Sequence, residues 1–173
     1  MEIYLVRHTE TSCEKGVCYG QSDVGLQENY LSQFDTVKAQ LPPHAIYYSS
    51  PLQRCTLLAD HISESNYKTD LRLMEMHFGD WELQPWDAIA PEVLTPWMQD
   101  FVNVAVPNGE SFIALHHRVL DFMKTELQAN NTSPIVIVTH AGVIRSMLCQ
   151  MTNLPLKDAF TNKVEFGQVI KLC

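Results

Sequence analysis

Three short segments carry side chains able to handle a phosphoryl group: Arg7-His8, Ser49-Ser50-Pro51 with Arg54 one helical turn later, and Thr139-His140. An imidazole can act as nucleophile, base or hydrogen-bond donor. A guanidinium presents paired N–H groups that match the oxygens of a phosphate. Two guanidiniums and two imidazoles in one place repel one another unless an anion lies between them, so their convergence predicts a phosphate site. Taken singly, a histidine after a strand is an ordinary rim residue and Arg54 an ordinary helix residue. Only the conjunction argues for chemistry.

The elements that would bring the segments together are legible. Glu2-Ile3-Tyr4-Leu5-Val6 is a β-branched and aromatic run that stops at Arg7-His8, and reads as a buried strand. Tyr30, Leu31, Phe34, Val37 and Leu41 recur at helical spacing before Pro42-Pro43. A second strand over Ala45-Ile46-Tyr47-Tyr48 leads into Ser49-Ser50-Pro51, read as a helix cap with proline at the first helical position, and a helix to about His61. Leu71 and Leu73 suggest a third strand. The stretch at about 76–107, rich in Trp and Pro, reads as an irregular, lid-like excursion over one end of the sheet. Asn108-Gly109-Glu110-Ser111 turns into a helix with apolar positions Phe112, Leu115, Val119, Phe122, Met123 and Leu127. Ile135-Val136-Ile137-Val138 is the clearest strand; a helix from Ala141 to Met151 and a strand within Val164–Leu172 follow. Such alternation predicts a three-layer α/β/α sandwich with a mainly parallel sheet, in one domain over residues 1–173. In a parallel sheet the three segments end their strands on the same side, where ligands bind.

Composition narrows the function. The chain has 173 residues, 46% of them hydrophobic, with 12 Lys and Arg against 20 Asp and Glu and a net charge of −8. That balance speaks against nucleic acid as a partner, which needs a basic face. The apolar runs are too short to span a membrane. The five cysteines, at 13, 18, 55, 149 and 173, contain no C-x-x-C pair, so neither a disulfide framework nor a zinc site is indicated, and a cytoplasmic location fits. The sequence sets no oligomeric state.

Four ordered blocks resemble the signatures of the histidine phosphatase superfamily, the phosphoglycerate mutase-like family. They are Leu5-Val6-Arg7-His8-Thr9-Glu10-Thr11, Ser49-Ser50-Pro51-Leu52-Gln53-Arg54-Cys55, Leu73-Met74-Glu75-Met76-His77-Phe78-Gly79-Asp80-Trp81-Glu82 and Val138-Thr139-His140-Ala141-Gly142-Val143. The resemblance spans nearly the whole chain. It implies a phosphomonoesterase acting on a small-molecule phosphate monoester, without metal or cofactor, through a phosphohistidine on His8. Arg7 and Arg54 would lower the pKa of His8 and hold the equatorial oxygens. His140 would hold another oxygen as a cation or donor. Glu75 matches the proton donor, since a carboxyl beside a phosphate dianion keeps its proton more readily. Further substrate contacts are expected from Thr11, Gln21, Ser22, Trp81 and Glu110, each of which also has a plain structural reading as a cap, a turn or core.

No Lys or Arg occurs from Leu73 to His117, so a second phosphate on the substrate would find no cation in that region. An apolar, aromatic-bearing alcohol suits its three tryptophans. Within the family, residues 74–82 with Trp97 and Asn108-Gly109-Glu110-Ser111-Phe112 are most similar to the α-ribazole phosphatases, which implies removal of the 5′-phosphate of α-ribazole phosphate in assembly of the cobalamin nucleotide loop. A broad-specificity phosphatase or a phosphoglycerate mutase-like enzyme is the alternative, and a phospho-ligand binder without turnover a third reading. A metal-dependent phosphohydrolase is disfavoured because the sequence has no His-x-His or Asp-rich cluster. Thr9 and Leu83 stand where many members have glycine, and an end at Cys173 would leave one pocket wall open.

Overall fold

The computed structural model describes residues 2–127 and 133–172, so Cys173 lies outside the described residues. Five strands form one sheet in the order β3-β2-β4-β1-β5: β1 (Ile3–Arg7), β2 (Ile46–Ser49), β3 (Lys68–Thr69), β4 (Ile135–Thr139) and β5 (Val169–Leu172). All neighbouring pairs are parallel except β1 with β5. The helices are α1 (Tyr30–Lys38), α2 (Gln53–Ser63), α3 (Pro91–Gln99), α4 (Phe112–Phe122) and α5 (Ala141–Thr152).

Alternation along the strands explains the layering. Ile3 and Leu5 of β1 and Ile135 and Ile137 of β4 pack with residues of α4 and α5, among them Leu115, Val119, Ile144 and Met147. Tyr4, Val6, Val136 and Val138 point the other way, onto Phe34 and Val37 of α1 and Leu58 and Ile62 of α2. Both faces of the sheet are therefore covered, which is why its central strands read as continuous apolar runs. This is an α/β sandwich of three layers with a mostly parallel sheet. Arg7 pairs with Thr139 and Ser49 with Val138, so β1, β2 and β4 end side by side.

Four expectations change. The third strand is Lys68–Thr69, and Leu71–Leu73 forms a single 3-10 turn instead, because Asp70 accepts the Arg72 backbone N–H at 2.9 Å and caps it. The segment at 76–107 is not wholly irregular: it holds short 3-10 turns at Gly79–Trp81 and Trp86–Ala88, then the nine-residue α3, which Pro91 opens and Pro96 interrupts. Helix α2 begins at Gln53, two residues later than Pro51, with Leu52 as its cap. The Ser50 hydroxyl, expected to cap it, accepts the Leu52 N–H at 3.4 Å and lies closer, at 2.8 Å, to His140 Nε2. The last strand starts only at Val169, since a left-handed Gly167 (φ +66°) turns the chain just before it.

Candidate active site

The ends of β1, β2 and β4 deliver their polar residues to one place. His8 is 2% exposed, and Arg54 and His140 are fully buried. The His8 and His140 rings lie 5.2 Å apart, centroid to centroid. Arg7, His8, Arg54 and Glu75 line a cavity of about 350 Å³ together with Val17, Tyr19, Phe78, Trp86 and Arg145. His140 is not in that lining; it sits behind, against His8, Ser50 and Cys55.

Both guanidiniums hold their places through main-chain carbonyls. Arg7 donates to Val164 O at 2.6 Å and lies over the Phe166 ring at 3.7 Å. Arg54 donates to Ser22 O at 2.8 Å and to Gly20 O. Among the described residues neither forms an ion pair with a carboxylate, and the Nε of each is buried without a partner. A buried charge is costly unless something opposite compensates it. Among the described residues Glu75 is the one carboxylate in the lining, so the guanidiniums leave the cavity short of negative charge.

The hydrogen bonding of His8 fixes its tautomer. Nδ1 lies 2.8 Å from Thr9 O, an acceptor only, so Nδ1 carries the proton and Nε2 keeps its lone pair. Burial, then the charges of Arg54 and Arg7, hold its pKa well below the usual 6.5, against the stabilising bond to Thr9. The ring is therefore neutral at pH 7, and burial contributes more to this than the arginines that the sequence reading credited. His140 is likewise held far below 6.5 by burial, then by Arg54 and His8. Its expected cationic form is not the one present in the free protein.

Glu75 sits at the start of α5. Its Oε2 accepts the Gly142 N–H at 3.1 Å and its Oε1 the Met76 N–H at 2.9 Å. A Cβ on Gly142 would lie 2.2 Å from Oε1, so the absence of a side chain there lets the carboxylate approach.

None of the five weaker candidates lines the cavity. Ser22 spends its hydroxyl on Glu82 at 2.6 Å. Gln21 donates from its amide to Glu75 O at 3.0 Å, one layer behind the wall. Thr11 donates to the Tyr19 hydroxyl at 3.1 Å. Glu110 pairs with Arg118 and accepts the His77 N–H, which ties the loop after Glu75 to α4. Trp81 is 3% exposed because it is core, packed edge-on against Trp86 and Trp97; Trp86 is the tryptophan that reaches the cavity. Thr9 does not narrow the cavity either, being fully buried outside its lining. Val164 and Phe166, just before the last strand, hold Arg7 through a carbonyl and a ring without lining the cavity themselves.

Three functional features escaped the sequence reading. Arg145, five residues beyond His140 on α5, is a third guanidinium in the cavity, so the absence of Lys and Arg from 73–117 does not leave the site with only two. Tyr19 lies under Arg54, 5.2 Å from its guanidinium. Glu82 accepts five hydrogen bonds, from the N–H groups of Gly20, Gln21, Ser22 and Phe78 and from the Ser22 hydroxyl, and so shapes the loop whose carbonyls grip Arg54. Burial opposes its charge, but those donors outweigh it and hold its carboxyl below the usual range. Among the described residues, no three His, Cys, Asp or Glu side chains gather as a metal site.

Residues 3–173 match the model of the histidine phosphatase superfamily, branch 1. The chain belongs to the histidine phosphatase superfamily. It is similar to the adenosylcobalamin/alpha-ribazole phosphatase of Salmonella typhimurium, with 28% identity over the full chain and 91% of the relative. It is 30% identical to the probable phosphoglycerate mutase GpmB of Yersinia pestis, over 90% of this chain and 76% of that one. Among solved structures, the alpha-ribazole phosphatase from Shigella flexneri superimposes with a TM-score of 0.88 at 25% identity, covering 99% of this chain and 89% of the other. This histidine phosphatase has the phosphoglycerate mutase-like fold. Among its described residues no helix is long and apolar enough to cross a membrane.

Proposed function

We propose that this phosphatase hydrolyses a small phosphate monoester through a phosphohistidine on His8, and that α-ribazole 5′-phosphate is its substrate. One observation carries the mechanism: a fully buried Arg54 and a half-buried Arg7, neither ion-paired to a carboxylate among the described residues, flank a neutral imidazole whose Nε2 lone pair is free. A phosphate dianion supplies the missing charge. The Nε2 lone pair attacks phosphorus while the bond to the alcohol oxygen breaks, and Glu75 gives that oxygen its proton. Water then attacks the phosphohistidine, Glu75 takes a proton from it, and the P–N electron pair returns to Nε2. Arg7 and Arg54 stabilise the equatorial oxygens throughout. His140, buried against His8 with its Nε2 on the Ser50 hydroxyl, supports His8 from behind the cavity as a neutral ring. A carboxylate has room for a proton besides the two backbone donors that Glu75 accepts.

We read residues 1–173 as one phosphatase domain in which the excursion at 76–107 contributes Phe78 and Trp86 to the leaving-group side. The apolar character of that wall and the names of the Salmonella and Shigella relatives support α-ribazole phosphate as substrate. One observation favours a second reading. Arg145 could meet a second anionic group, as a phosphoglycerate mutase-like activity requires, and the Yersinia relative carries that name. Four free cysteines, at 13, 18, 55 and 149, fit a reducing cytoplasm.

The test is phosphate release from α-ribazole phosphate, 3-phosphoglycerate and simple alkyl phosphates, with and without chelator. Preference for α-ribazole phosphate that chelator does not alter is expected. Preference for phosphoglycerate would overturn the substrate assignment, and chelator-sensitive turnover would overturn the mechanism.

A further inference from the structure

A second, more open cavity of about 540 Å³ adjoins the first, lined by Trp86, Leu94, Trp97, Met98, Phe101 and Phe160. Every lining side chain is apolar. Met98 is 65% and Phe160 56% exposed, so the folded chain leaves these two large side chains facing water. Single exposed apolar residues are ordinary, but a groove lined only by them is not. Trp86 lines both cavities, and Arg145 of the first lies 4.8 Å from the ring of Phe160 in the second. The only protein hydrogen bond from the Arg145 side chain among the described residues runs from its Nε to Asn162 O at 3.1 Å, which leaves both terminal amino groups available at the junction.

We propose that this groove is the leaving-group subsite, and that it takes a flat aromatic ring carried by the alcohol part of the phosphate ester. The proposal rests on the phosphomonoesterase reading and narrows its substrate class. A monoester with its phosphate between Arg7 and Arg54 must extend its alcohol out of the small polar cavity, and past Trp86 it meets aromatic surface. The rings there pack on one another: Trp86 stacks on Trp97 with planes 25° apart and centroids 5.9 Å apart, and Phe101 packs on Phe160 edge-on at 5.0 Å. Packed aromatic walls lose little freedom on binding a ring. The groove volume is that of a small-molecule site. Arg145, flanked by the cavity and by Phe160, is placed to donate to polar groups joining the ring to the phosphate. Contacts made this far from phosphorus also help position the ester for attack.

The test compares 1-naphthyl phosphate with methyl phosphate in the wild type and in Phe160→Ala and Met98→Gln, both exposed positions that the core does not use. The ratio of kcat/KM for the naphthyl over the methyl ester should fall about tenfold in Phe160→Ala, the size of an aromatic contact, and severalfold in Met98→Gln. Calorimetry on His8→Ala, with and without the same changes, should show a parallel fall in affinity for 1-naphthyl phosphate relative to inorganic phosphate. Ratios unchanged in both variants would overturn the subsite. So would sedimentation showing a wild-type dimer that these variants dissociate with no change in ester preference, since the groove would then be covered by a second copy of the chain. If the wild type hydrolyses neither ester, the catalytic reading fails by itself and the calorimetric ratio alone decides the groove.

Discussion

Replacing Gly142 with alanine should disable Glu75 while leaving the fold intact. The added Cβ would stand 2.2 Å from Glu75 Oε1 and 3.4 Å from Leu115 Cδ1. Because the second contact is already at van der Waals distance, the methyl group cannot retreat. The carboxylate, at the end of a flexible side chain, must withdraw by roughly 1.2 Å to restore 3.4 Å, and its 3.1 Å bond from the Gly142 N–H is lost. A misplacement of about 1 Å costs on the order of a hundredfold where geometry governs the step, the low end of what a general acid contributes. Stability should hardly change. Alanine is better than glycine inside a helix by about 1 kcal/mol, which offsets most of one hydrogen bond to a charged group, about 1.5 kcal/mol. The Tm should stay within about 4 °C. The assay is kcat/KM, which reports transfer to His8 alone, for methyl phosphate and for p-nitrophenyl phosphate. Nitrophenolate leaves without needing a proton, so the loss should be about a hundredfold for the methyl ester and under about tenfold for the nitrophenyl ester. Equal losses on both esters, or no loss on either, would refute Glu75 as proton donor and Gly142 as the residue that admits it.

Arg54→Ala should reduce kcat/KM by about a hundredfold or more and also lower the Tm, because Gly20 O and Ser22 O lose their donor and buried unsatisfied carbonyls cost about 1–3 kcal/mol each; unchanged thermal unfolding would show that the loop does not depend on this grip. The phosphate-free protein should lose stability as pH falls below the ordinary histidine value of 6.5. The unfolded chain takes up protons there while folded His8 and His140 do not, so each contributes a slope of up to about 1.4 kcal/mol per pH unit until its folded pKa is reached. Denaturant titrations from pH 7.5 to 5 with His140→Gln as control read this, and a control as acid-sensitive as the wild type would contradict it. Leu83→Gly should raise the Tm by about 2–4 °C with activity kept, since Leu83 is 58% exposed and held at φ +62°, where a side chain costs about 1–2 kcal/mol; a lower Tm would mean that Leu83 packing outweighs the strain.

The sequence made the central strands legible because β1 and β4 are buried on both faces, which leaves apolar runs that nothing else explains. It made the first contacts of the site legible because Arg7-His8 and Thr139-His140 are the residues at which those runs stop. Elements without a pattern of their own stayed hidden. Lys68–Thr69 is two polar residues long and becomes a strand only beside β2. The nine residues of α3 are masked by Pro91 and Pro96, which normally mark turns. Ser50 looked like a helix cap because capping is local, whereas its shorter contact is with His140, ninety residues away. Glu82 and Arg145 escaped for the same reason. A carboxylate gathering N–H groups some sixty residues upstream, and a helical arginine whose facing cavity is built by other segments, have no signature in their neighbours.

The central claim is that His8 carries the phosphoryl group. Rapid acid-free quenching of enzyme mixed with a 32P-labelled phosphomonoester, followed by peptide mapping, tests it most directly. The account predicts an acid-labile, base-stable label on the peptide containing His8, forming and decaying at rates that match phosphate release, and absent from His8→Ala, which releases no phosphate. Phosphate release at the wild-type rate by a folded His8→Ala, or a label on any other residue, would contradict it.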